Sequence, residues 1–379
     1  MNFQSAMQPK DDTLKPDAWS LRDHLLALWT GCTQPTRFSF LLMIVVLVST
    51  TLLMVVGVTP RTLAGPLGDY VPRSAENDEA FATIQALRLA DPQAPVGKAP
   101  RVYVIGNSRI AQTFASDEKL KHSLQTLTHR DWDVFFLTTG RQGALDETAL
   151  AEFATKRQPG VVILSASFDR YEDDVAELMK YYRMARIGYR SDWADEQVRQ
   201  ILHTRPRSRT GIYLVDNRKF FLLNAGAASL RLVSQTPAER KIDAYIYKQN
   251  AHKLATYRAT ILKSLRINYI PKKLSVSILA DTVRRLQERG NKVILFDVPV
   301  SSELVSSDAD HKRYAIHLQG AAALSSRLGA YYCRPSDEAM PPPQAYRDYF
   351  HIADPAVQEQ MRMLLAQCVE NVSREKGRS

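Results

Sequence analysis

VYVIGNSRIAQ, residues 102–112, is the stretch from which the fold can be read. Val102–Gly106 is an unbroken apolar run rather than an alternating one, as expected of a strand covered on both faces. Gly106-Asn107-Ser108-Arg109 ends it, and Ile110-Ala111-Gln112 continues as a helix. Ser108 therefore falls at a strand-to-helix turn, where backbone N–H groups can bind a developing oxyanion. Gly106 allows a tight turn and the close approach of a substrate. Alone, Gly-x-Ser says little, because most serines in such places only cap the helix.

Working outward, four more segments have the same character: Asp133–Thr138, Val161–Ser165, Val293–Val298 and Ala330–Cys333. Helical patterns separate several of them, at Leu145–Lys156, Ala280–Arg289 and His311–Leu328. Strands alternating with helices imply right-handed crossovers and a doubly wound, mostly parallel five-stranded α/β sheet. Sites in such sheets form beyond the carboxyl ends of the strands. The composition, 45% hydrophobic and 24% charged, excludes wholesale disorder.

A large insertion, residues 171–277, interrupts the alternation. Between Lys180 and Lys273 it holds 20 Lys and Arg against 6 Asp and Glu, so the chain's net charge of +10 is local in origin. It is also rich in aromatics, among them Tyr182, Tyr189, Trp193, Phe220 and Tyr257. This surface is expected to dock an anionic polymer or phospholipid headgroups, with Arg205, Arg207 and Arg209 as a representative cluster. Nucleic acid is not expected as a partner if the domain lies outside the cytoplasm, the placement that the resemblance given below implies. The bland alternative is that these charges merely solvate exposed helices.

Before the sheet, Phe38–Val58 is 21 residues without a charge. That length spans roughly 31 Å as a helix, the thickness of a bilayer's hydrocarbon core. It is too long, and too far from the start, for an ordinary signal peptide. The expected order is a cytoplasmic segment 1–37 with a short amphipathic stretch from Trp19 to Trp29, a transmembrane helix 38–58, a stalk and linker 59–100 with one helical stretch near Glu79–Leu89, the main domain 101–370 and a tail 371–379. Arg22 and Arg37 on one side, and Arg61 and Arg73 on the other, do not choose an orientation.

Near the other end, Asp348-Tyr349-Phe350-His351 puts a carboxylate and an imidazole one helical turn apart. Asp348 can hold one ring nitrogen while the other takes a proton from a serine. Asp354-Pro355 then starts a helix through about Val369. His311 and His317, by contrast, read as surface residues. No C-x-x-C or H-E-x-x-H occurs, so no metal site is expected.

Serine directly after the first strand, with D-x-x-H directly before the last helix, resembles the SGNH/GDSL hydrolase superfamily. The resemblance covers residues 101–170 and 291–369. It implies an SGNH-like fold with Ser108 as nucleophile, His351 as base and Asp348 as its orienter. It also implies an oxyanion hole from the N–H groups of Ser108 and Gly140, the latter in the block Thr138-Thr139-Gly140 with Gly143. The third block departs, with Ser165-Ala166-Ser167 standing where an asparagine donor is usual; Ser167 is the candidate substitute. One anchor, an atypical third block and a large insertion together resemble the alginate O-acetylation and teichoic-acid D-alanylation proteins. That branch implies acyl transfer or de-acylation on a cell-envelope polymer, beside a polytopic membrane-bound O-acyltransferase and with no cofactor beyond the acyl donor. It also implies a single-pass protein of the cytoplasmic (inner) membrane with its main domain extracytoplasmic or periplasmic. There, Cys333 and Cys368 have two open states, a disulfide or two free buried thiols. The rival function is a non-catalytic envelope scaffold that keeps the fold.

Overall fold

A computed structural model describes residues 35–66, 68, 79–140, 142–167, 174–184, 187–222 and 273–374. The amphipathic stretch before the anchor, much of the basic insertion and the last five residues lie outside the described residues. The chain divides into two units, Met1–Gly57 and Val58–Ser379. In the first, helix α1 (Pro35–Gly57) is apolar all round, and Phe38, Leu42, Leu53 and Val56 are each more than half exposed. Its Phe38–Gly57 stretch has a mean hydropathy of 2.7 and is long and apolar enough to span a membrane.

The second unit begins with α2 (Pro60–Ala64) and α3 (Glu79–Ala90), followed by β1 (Arg101–Gly106), α4 (Ser108–Phe114) and α5 (Asp117–Thr128). Then come β2 (Asp133–Thr138), α6 (Ala144–Ala154), β3 (Val161–Ser165), α7 (Val175–Met184), α8 (Asp192–Gln200) and α9 (Leu274–Glu288). The chain closes with β4 (Lys292–Phe296), α10 (Asp308–Arg327), β5 (Tyr331–Cys333) and α11 (Pro355–Arg374). The five strands form one all-parallel sheet in the order β2-β1-β3-β4-β5.

The period-two geometry of a strand divides each apolar run between two cores. Tyr103, Ile105, Val162, Leu164, Val293 and Leu295 face α3, α6 and α9. Val102, Val104, Val161, Ile163, Ile294 and Phe296 face α4, α5 and α11. The chain runs from β1 outward to β2 and then returns to the far side of β1 as β3. The topological switch point is thus between β1 and β3, where an open α/β sheet forms its binding crevice.

Three readings of the sequence need correction. The stretch 59–100 is not a free stalk: Leu63, Ala64, Ile84, Leu87 and Leu89 are buried in the first core. Helix α3 falls where a helical stretch is expected, but it is part of the domain: Ala82 and Ala86 are fully buried where it packs on α6 and β2. The final helix reaches Arg374, so its last turn is structure rather than tail. The described part of the insertion is also no loose surface. Tyr182, Tyr189, Trp193 and Phe220 are all buried, and Tyr189 stacks on Phe153 of α6 with ring centres 3.9 Å apart. Gly188 makes room for this, because a Cβ there would fall 2.7 Å from the Phe220 ring.

Candidate active site

Strand register brings the candidate residues to one level. Gly106 lies opposite Thr138, and Ile105 opposite Leu164. Ser108, Gly140 and Ser167 therefore each lie two residues beyond the same rung at the carboxyl edge. Asn107 caps α4 by accepting the N–H of Arg109 at 3.1 Å, which leaves Ser108 as the first residue of the helix. Gly106 lets Ile110 fold back across the turn, since a Cβ there would meet the Ile110 side chain at 2.8 Å.

The partner loop is tightly built. Tyr346 and Ile352 form an antiparallel bridge, and the N–H of Arg347 donates to the carbonyl of His351 at 2.8 Å. Inside this hairpin, Asp348 Oδ1 accepts the N–H groups of Phe350 (2.7 Å) and His351 (2.8 Å). Its Oδ2 lies 2.7 Å from His351 Nδ1, and His351 Nε2 lies 3.0 Å from Ser108 Oγ. With Nδ1–H donating to the carboxylate, Nε2 is the acceptor for the serine hydroxyl. Residues separated by 243 positions thus form one continuous chain of hydrogen bonds, with the imidazole side chain still 15% exposed. Burial pushes the Asp348 carboxyl up, but the bond and charge of His351 and the two backbone N–H groups outweigh it. The net pKa falls below the usual value, so Asp348 is a carboxylate across the neutral range.

Several contacts that hold the loop were not foreseen. Arg109 lays its guanidinium 3.7 Å from the centre of the Phe350 ring, joining the helix that Ser108 begins to the middle of the D-x-x-H loop. Gln358 Nε2 donates to the carbonyls of Gln112 (2.8 Å) and Ile352 (3.0 Å), tying α11 to α4. The N–H of Ser301, in the loop after β4, donates to the carbonyl of Tyr349 at 2.9 Å. Arg109 is flagged in sequence by its place beside the serine; the other two carry no local signal. Cys333 and Cys368 are disulfide-bonded, with Cα atoms 6.2 Å apart, which closes the segment bearing Asp348 and His351.

The oxyanion candidates divide. Among the described residues, neither the Ser108 nor the Gly140 N–H is taken by an acceptor. Ser167 is fully buried, and its hydroxyl lies 2.7 Å from that of Ser165, with no hydrogen bond to Ser108. The docking arginines divide as well. Arg209 is bonded to Asp192 (2.6 Å) and Asp195 (2.8 Å), and Arg207 packs its guanidinium 5.2 Å from the Tyr182 ring. Arg205 and Arg209 are both exposed, as docking residues would be, although Arg209 is also tied to the insertion by its two carboxylate partners, whereas Arg207 is partly buried.

His317 is a plain correction. It is 1% exposed rather than on the surface, and its Nε2 lies 2.9 Å from Asp297 Oδ2. That oxygen also accepts the Tyr332 hydroxyl at 2.7 Å. Among the described residues no group of His, Cys, Asp and Glu is arranged to hold a metal ion. No protein-family model matches the chain, and no curated protein is significantly similar to it.

Proposed function

We propose that this protein is an SGNH-like serine acyltransferase or esterase, held at a membrane by α1, that works on a hydroxyl-bearing envelope polymer. The observation that carries this reading is the hydrogen-bonded line Ser108–His351–Asp348. A serine hydroxyl aimed at an imidazole nitrogen, whose other nitrogen is held by a buried carboxylate, is the arrangement needed to generate an alkoxide-like nucleophile at neutral pH. Ser108 Oγ attacks the acyl carbonyl of the donor while His351 Nε2 takes its proton. His351 then returns the proton to the departing group, leaving the acyl ester on Ser108. A second pass, with a sugar or polyol hydroxyl in place of the leaving group, completes transfer; water completes hydrolysis.

The open N–H groups of Ser108 and Gly140 are the oxyanion donors in this scheme. Ser167, already engaged with Ser165, adds nothing. Loss of one such donor costs on the order of 10²–10³ in rate. Slow turnover follows, because acylation and deacylation each pass through an oxyanion held by the same donors. The same Ser165–Ser167 pairing is the observation that favours the second reading, a binding scaffold with no turnover.

The polymer acceptor, the extracytoplasmic placement and a polytopic O-acyltransferase partner rest on the family resemblance and remain part of the proposal. The test is incubation of the full chain with a simple acetyl ester, followed by peptide mass analysis. Acetyl-Ser108 that is discharged faster by an added polyol than by water supports transfer. Acetyl-Ser108 discharged only by water supports an esterase, and no acyl-serine at any time supports the scaffold.

A further inference from the structure

A cavity of about 230 Å³ opens at the opposite edge of the sheet from Ser108. Its walls come from α2, the end of α3 with the turn after it, and the end of α6. Those two helices end just before β1 and β3 begin, which puts the cavity at the amino edge. Ala64, Leu87 and Phe153 line it with apolar surface, and Arg61 and Lys156 with positive charge against the single carboxylate of Asp91. Lys156 lies over the Phe153 ring with Nζ 5.8 Å from its centre, and Arg61 donates to Gln93.

The cavity is held open by its own hydrogen bonds. Arg88 Nε donates to the carbonyl of Ala64 at 2.6 Å, which fastens α2 to α3. Arg157 Nη1 donates to the carbonyls of Asp91 (2.5 Å) and Ala94 (2.6 Å), which fixes the turn forming the rim. The space is therefore built into the fold and does not require a ligand to shape it.

Two further facts select the occupant. Only Val58 and Thr59 separate the apolar helix from Pro60 at the cavity wall, a reach of at most about 10 Å of extended chain. If α1 lies in a bilayer, that reach limits how far Pro60, at the cavity wall, can be from the headgroup layer. Its volume is also below the roughly 300–1,000 Å³ of pockets for drug-sized ligands, too small for a polymer segment. We propose that this cavity holds the phosphate-bearing headgroup of an anionic phospholipid, with Arg61 and Lys156 on the phosphate and Leu87 and Phe153 against the first carbons. The inference rests on α1 entering a bilayer and is independent of the chemistry at Ser108.

The test uses the full chain in a neutral detergent, with thermal unfolding followed as short-chain lipids are added. Dihexanoyl phosphatidylglycerol should raise Tm by about 2–3 °C, and dihexanoyl phosphatidylcholine should not. Arg61→Gln and Lys156→Gln should each remove most of that rise. Ala90→Phe, which fills the cavity without touching a charge, should remove it too. Lys312→Gln, an exposed cation on α10 away from the cavity, should leave it intact. An equal rise with phosphatidylcholine, or a rise that survives both charge removals, overturns the proposal. An equal rise with inorganic phosphate overturns the lipid as its source. Alkaline extraction of membranes tests the premise separately: a chain that washes off is not anchored by α1, whatever the cavity binds.

Discussion

Among the described residues, two aspartate–histidine pairs lie near the carboxyl edge of the same sheet, and they differ in ways that bear on function. Asp348 and His351 sit 2.7 Å apart in a loop, Asp297 and His317 sit 2.9 Å apart between the end of β4 and α10. The second pair is sealed: both side chains are 1% exposed, and Tyr332 donates to the same carboxylate oxygen. In the first pair the carboxylate is buried, while the imidazole keeps an exposed edge and a serine at its far nitrogen. Pairing alone therefore does not make a catalytic site. A nucleophile at the second ring nitrogen and access for a substrate do. The sealed pair serves instead as a polar joint, in which Asp297 Oδ2 links the end of β4 to His317 of α10 and Tyr332 of β5.

This contrast is broken most sharply by substitution at the open pair. Ser108→Ala should abolish acyl-enzyme formation, and Asp348→Asn should lower its rate on the order of 10⁴-fold by favouring the wrong tautomer of His351. His317→Ala should leave the rate per folded molecule within about twofold of the parent chain. If His317→Ala instead removes activity while the protein remains folded, the assignment of the two pairs is wrong. Stopped-flow acylation with an activated ester measures all three.

Stability should respond in the opposite sense. Replacing both Cys333 and Cys368 with Ser frees the segment that carries Asp348 and His351, and should cost about 3 kcal/mol in denaturant unfolding. His317→Ala removes a donor from a buried carboxylate and should cost about 2 kcal/mol. The cystine pair affects the open site through its loop, so acylation should also slow in that variant, whereas it should not in His317→Ala. The smallest effect is one of pH. The folded-state pKa of Asp348 is depressed, so its contribution to stability is complete above its unfolded value, about 3.9, and is lost as pH falls through the folded value. The stability gap between the parent chain and Asp348→Asn should thus be constant from neutral pH to about pH 5 and narrow below pH 4. A gap that widens on acidification would contradict the bonding seen at Asp348.

The sheet was legible because each strand is a continuous apolar run, and every one of the five runs became a strand. Ser108 and the Asp348–His351 pair were legible for a different reason: each lies in a short local motif, and their meeting follows from topology. What the sequence concealed depended on partners far along the chain. His317 sits among Lys312, Arg313 and other polar residues and reads as solvated, but Asp297, 20 positions earlier, draws it inside. Arg207 and Arg209 read as a docking patch because the burial of Asp195 beside them cannot be seen in the sequence. Helix α5 gives a weak sequence signal because its buried face is narrow, with Leu120 and Leu124 its only buried apolar residues, although Ser116 marks its start clearly. The departure at Ser167 was visible in sequence, but its consequence was not, because only the fold pairs that hydroxyl with Ser165.

The most direct measurement is reaction of the full chain, in isolated membranes, with a fluorophosphonate that marks activated serines, followed by peptide mapping. If Ser108 is the nucleophile, one phosphonylated peptide containing Ser108 is recovered from the parent chain and from His317→Ala. None is recovered from Ser108→Ala, and Asp348→Asn gives far less than the parent. Absence of label on Ser108 in the folded parent chain, or labelling undiminished in Asp348→Asn, would contradict the central claim that the open Asp348–His351 pair activates this serine.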